Sequence, residues 1–170
     1  MNSELLKRFG AFIILFLVQA LILNQIHLFG VATPLLFVFF AITFHRNYPK
    51  WAILVWCFLM GVSVDTFSNT PGVASGSLTL LGAVQPYLLE LFTPRDSAED
   101  MRPAMKTMGV AKYVYYSMIC TVILTVTFFA LEAFSFFNWQ QWLFSVGSST
   151  VLTIILVLTI EYLFSKQSQY

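Results

Sequence analysis

The nine lysines and arginines of this 170-residue chain stand in four places, with long apolar runs between them. Lys7 and Arg8 come first, then Arg46 and Lys50, then Arg95, Arg102, Lys106 and Lys112, and finally Lys166. Only 10% of residues are charged and the mean hydropathy is +0.78, where a soluble domain carries roughly 25% charged residues. That is too little polar material to cover a water-facing surface, so the bilayer is the expected solvent. Hydropathy predicts an all-α membrane protein forming a single integral domain over 1–170. Its six transmembrane helices are expected at about 9–29, 33–45, 50–66, 73–92, 110–132 and 142–164. With six spans, every Lys and Arg falls on one side of the membrane and none on the other. The positive-inside rule then places both termini in the cytoplasm. Trp139 and Trp142 are expected at the outer boundary, and Trp51, Tyr113, Tyr115 and Tyr116 at the inner one.

The second span is short. Thirteen helical residues reach only about 20 Å, against a hydrocarbon core of roughly 30 Å. Local thinning, extension through the flanks, or shielding by neighbours must make up the difference. Thr33-Pro34 is expected as its N-cap and first helical residue. The apolar run from Phe9 has no small-x-small cleavage site and is expected to stay as a span rather than be removed as a signal. Cys57 and Cys120 lie inside apolar runs and read as small apolar fillers rather than a disulfide or metal site. A net charge of +1 argues against nucleic acid as a partner. The loop "TPRDSAEDMRPAMKTMG" reads as a solvated, part-helical connector, the sharper alternative being a docking loop for a cytoplasmic partner.

Between the third and fourth spans lies "GVSVDTFSNTPGVASG", Gly61 to Gly76, whose Asp65 is the only acidic residue between Glu4 and Glu90. Ser, Asn, Pro and Gly suit a tight turn. Thr70-Pro71 predicts the start of span four. The unpaired N–H groups there need acceptors, which Asp65, Ser68, Asn69 and Thr70 can supply. Gly72 and Gly76 offer a flat small face for helix packing. The plain reading of Asp65 is a cap; the functional one is that it orders the hairpin against another helix of this chain or of a partner.

The residues Gly61, Asp65, Phe67, Ser68, Thr70, Pro71 and Gly72 resemble the signature of the rod shape-determining protein MreD family, which reads G-L-x-x-D-L/F-x-S-G-T-P-x-G. Asn69 stands where Gly is common, a mild departure because Asn also tolerates positive φ. Length, six spans, cytoplasmic termini and a charged central inner loop are similar as well. The resemblance implies a fold like the substrate-binding components of energy-coupling-factor vitamin transporters and no enzymatic activity or cofactor. It implies a place in the bacterial inner membrane as a scaffold of the elongation machinery. The partner would be MreC, a bitopic and largely periplasmic protein. MreB, RodA and a class B penicillin-binding protein, which direct lateral peptidoglycan synthesis and cell shape, would be engaged indirectly.

Other chemistries are thinner. Gly61-x-Ser63-x-Asp65 superficially resembles a nucleophile turn, but it lacks the second Gly, and only His27 could approach Ser63, since His45 falls on the opposite side. A solute- or lipid-binding transporter subunit is the stronger alternative. It would draw on Gln19, Asn24, Gln85, Thr121, Thr125 and Thr127. Gln85-Pro86 predicts a kink in span four. Glu90 and Glu161 lie near the cytoplasmic ends, where Arg95 and Lys166 can pair with them. Ser145, Ser148 and Ser149 are expected on one face of span six, packing against another helix.

Overall fold

A computed structural model describes residues 2–22, 33–93, 101–133 and 139–167. The end of the first predicted span (23–29), Asn24, His27 and Arg95 lie outside the described residues, as do the side chains of Lys7 and Lys166. Among the described residues the chain is all helical. It runs through α1 (Asn2–Leu17), α2 (Val38–Ile42), α3 (Lys50–Ser68), α4 (Val73–Phe92), α5 (Met105–Met108), α6 (Val110–Ala133) and α7 (Trp139–Gln167). Three of these, Lys50–Ser68, Val110–Ala133 and Trp139–Phe164, are long and apolar enough to cross a membrane. The 20-residue α4 is long enough but carries Ser75, Ser77, Thr79 and the Gln85-Pro86 pair. Its buried face is packed against α3 and α6, so protein rather than lipid surrounds those polar groups.

Contacts define two ends of the bundle. At one, the Arg8 guanidinium lies over the rings of Phe44 and Tyr48, at 4.6 and 4.2 Å. There too the Lys50 ammonium lies 4.4 Å from the Tyr87 ring centroid. The Arg46 N–H donates to the carbonyl of Met101 (3.4 Å), and the Met105 N–H donates to Oε1 of Glu161 (3.4 Å). At the other end the α3–α4 turn sits near the end of α1, with Phe16 edge-on to Phe67 at 5.2 Å. Among the described residues, Arg8, Arg46, Lys50, Arg102, Lys106 and Lys112 therefore gather at one end. Glu161 takes the Met105 N–H, and Arg102 is close enough to act on it electrostatically. The later half of the central loop is thus docked on the bundle rather than simply solvated: Met108 is buried, and Met101 and Met105 pack on the core.

The expected helix over 33–45 needs correction. Thr33 to Leu35 has no regular structure, Leu36 and Phe37 form a turn, and only Val38–Ile42 is α-helical. Pro34 is buried in the irregular stretch instead of opening a helix. The physical reason is that side chains of distant helices, rather than a local helical turn, take up the backbone N–H groups of this stretch. Irregular backbone is tolerable at membrane depth only inside protein. Leu35 to Ile42 are all buried, and side chains from distant helices serve the backbone. The Thr33 N–H donates to Oγ of Ser149 (3.0 Å) and the Leu35 N–H to Oγ1 of Thr153 (3.0 Å). Gln19 accepts from the Leu36 N–H (2.9 Å) and donates to the Pro34 carbonyl (3.0 Å). A π turn over Val18–Ile22 carries that glutamine. Further along, Gln85 donates to the Phe44 carbonyl (3.4 Å) and to the Tyr116 hydroxyl (2.9 Å), which in turn donates to the Ile42 carbonyl (3.4 Å).

Two aromatic placements change with this. Tyr113 and Tyr116 are fully buried inside the protein rather than presented on its surface, whereas Trp51, Tyr115 and Trp139 are exposed. Cys57 and Cys120 are buried free thiols.

Candidate functional site

α3 ends where Asn69 takes a left-handed conformation (φ 55°) and its N–H returns to the carbonyl of Asp65. Three residues on, Gly72 has φ 89° and opens α4 at Val73. The chain reverses in four residues because an Asn and a Gly accept positive φ where other side chains resist it. Asn69 therefore does at this position what a glycine would do. The start of α4 shifts by two residues from the Thr70-Pro71 expectation: Pro71 lies in the turn and Gly72 is the cap position.

The capping acceptor is Asp65 alone. Its Oδ1 takes the Ala74 N–H at 2.8 Å, and its Oδ2 takes the Ser75 N–H at 2.9 Å and the Gly72 N–H at 3.1 Å. The Thr70 hydroxyl adds a longer contact to Oδ1 at 3.4 Å. The carboxylate is only 6% exposed, yet it is met by the positive end of a 20-residue helix and by hydrogen bonds to a charged acceptor, which are stronger than neutral ones. The Ser68 hydroxyl donates back to the Val64 carbonyl at 2.9 Å.

Gly61 has the tightest approach. A Cβ placed there would fall 2.3 Å from Cα of Ser75 and 2.8 Å from the Ala74 carbonyl oxygen. α3 and α4 touch backbone to backbone at this level, immediately below the capped N–H groups. Lower in the same seam, a Cβ at Gly82 would come 2.9 Å from Sγ of Cys57. The expected flat face of Gly72 and Gly76 is not where α3 and α4 meet; both glycines are exposed. Gly72 belongs to the turn, and Gly76 is exposed, with Leu131 of α6 as its one close neighbour.

The serine trio is also divided. Ser149 is buried and holds Thr33, whereas Ser148 is exposed and Ser145 half-buried. Thr150 bridges instead to Thr125 at 2.8 Å. Ser63 donates to the Leu59 carbonyl of its own helix, and His45 stands at the opposite end. Of the groups considered for a solute path, Gln19 and Gln85 are engaged with 33–45, and Thr121 and Thr127 donate to carbonyls one turn back. Pro86 lies inside a continuous α4.

The clamp formed by Gln19, Ser149 and Thr153 escaped sequence reasoning. Its signal was an amide and hydroxyls in otherwise apolar spans, but nothing in the sequence joins positions more than a hundred residues apart. Comparison of the chain with family models, with curated proteins and with solved structures finds no match.

Proposed function

We propose that this chain is a six-span inner-membrane protein of the MreD kind. In this reading it is a non-catalytic scaffold that holds MreC within the elongation machinery, with a fold like the substrate-binding components of energy-coupling-factor transporters. The 33–45 segment counts as the second crossing and both termini are cytoplasmic. The observation that carries the reading is the hairpin. Gly61, Asp65, Thr70 and Gly72, which carry the family resemblance, meet in one device, and each has a separate physical task there. Such a device gives a rigid outer corner and leaves no free carboxylate for chemistry. The rival transporter reading is weakened because Gln19, the Gln85 amide nitrogen, Thr121 and Thr127, among the groups it would use, already donate to backbone carbonyls.

Two experiments test it. Tagged protein purified from its native membrane should bring MreC with it; its absence, with this chain folded and abundant, would end the proposal. Topology has its own check, resting on the one-sided basic residues. Single cysteines at positions 138 and 98 should label from outside and from inside respectively, and labelling of both from one side would end the six-span arrangement.

A further inference from the structure

The cationic end of the bundle carries a surface whose chemistry changes along one helix. Arg102, Lys106 and Lys112 are all exposed. Their backbone is fixed: the Met101 carbonyl accepts from Arg46, the Met105 N–H donates to Glu161, and the Thr107 hydroxyl donates to the Arg102 carbonyl at 2.6 Å. Among the described residues, no carboxylate pairs with Lys106 or Lys112. From Lys112 an exposed stripe runs down α6 through Tyr115, Met118, Val122 and Val126, at steps of three and four residues. Cation, amphipathic aromatic and aliphatic side chains follow one another in that order. The ten helical steps from Lys112 to Val122 span about 15 Å, which is one leaflet's share of a roughly 30 Å hydrocarbon core.

We propose that this face is a binding site for one anionic phospholipid, in the leaflet that the orientation proposed above makes cytoplasmic, its phosphate held by Lys112 at the head of the stripe with Lys106 adding positive charge at the same end, and an acyl chain laid along Tyr115, Met118 and Val122. Charge complementarity selects the headgroup, and the apolar stripe directly below selects a lipid over an acidic soluble protein, which could meet only the cations. The inference stands independently of the MreC reading.

The test uses the full chain in a neutral detergent, with phosphatidylglycerol and phosphatidylcholine as probes and native mass spectrometry counting retained lipid. Wild type should hold one phosphatidylglycerol in clear preference to phosphatidylcholine. A basic residue at the membrane surface contributes roughly fivefold in affinity, so Lys106→Gln with Lys112→Gln should weaken retention on the order of twentyfold. Lys106→Arg with Lys112→Arg should keep it, and circular dichroism should find both variants equally helical. Equal retention of the two lipids by wild type, or undiminished preference in the double Gln variant, would overturn the site. So would displacement of the lipid by free glycerophosphoglycerol or by a soluble acidic peptide at comparable concentration, since either would show that the stripe plays no part.

Discussion

Asp65→Leu should strongly destabilise the hairpin, whereas Asp65→Asn should do roughly half the damage. The carboxylate serves three backbone N–H groups, two of them deep in the α3–α4 seam. A buried donor left without a partner costs about 1–3 kcal/mol, and Ala74 and Ser75 are buried where a replacement acceptor is not at hand. Leucine orphans all three, so a loss of roughly 3 kcal/mol or more is expected. Asparagine keeps one oxygen, but it turns a donating NH2 toward donors and gives up the charge that opposes the helix dipole. Thermal unfolding in detergent and protease cleavage near Asn69 should therefore rank the proteins wild type, Asn, Leu. Wild-type behaviour in both variants would make the carboxylate incidental.

This ranking depends on a detail that the sequence half conceals. The turn was legible: Asn, Pro and Gly together specify a reversal, and an acid near a helix start specifies a cap. Which residue does the capping was not. Thr70-Pro71 has the local spacing of a helix start, but Asp65 reaches across the turn to residues seven, nine and ten positions on, a distance that only the folded hairpin sets. The same limit applies to 33–45. Its apolar composition marks a buried segment, and the shortfall in length points to shielding by neighbours. Its irregular start, however, depends on hydrogen bonds with Gln19, Ser149 and Thr153, which the chain brings together only by tertiary packing. That the described basic side chains share one end was legible, because in the sequence they are separated by apolar runs of helix length. Small-residue faces were the least legible. A Gly-x-x-x-Gly pattern is a necessary feature of close helix contact, not a sufficient one. Here the glycine at the contact is Gly61, a single residue in a sequence of larger ones.

Gly61→Ala should accordingly be among the most damaging single-carbon changes in this protein. The added Cβ would stand 2.3 Å from Cα and 2.7 Å from N of Ser75, both backbone atoms that no rotamer change can move. Overpacking of a tight core typically costs about 1–3 kcal/mol, and the upper part of that range is expected because two whole helices must part. Parting them also draws the Ser75 and Ala74 N–H groups away from Asp65, so the packing and capping losses are coupled. The double variant Gly61→Ala with Asp65→Leu should therefore lose less than the sum of the two single losses. Two other glycines serve as controls. At Gly76 the new carbon would meet only Cδ1 of Leu131 at 3.1 Å, the far end of a side chain that can turn aside. At Gly147 it would meet nothing within 4 Å, so alanine there should gain roughly 0.5–1 kcal/mol from helix propensity. The expected order of unfolding temperatures is Gly147→Ala above wild type, Gly76→Ala slightly below it, and Gly61→Ala far below. If Gly61→Ala unfolds with Gly76→Ala, then α3 and α4 do not meet backbone to backbone, and the capped hairpin is not the rigid corner on which the scaffold reading depends.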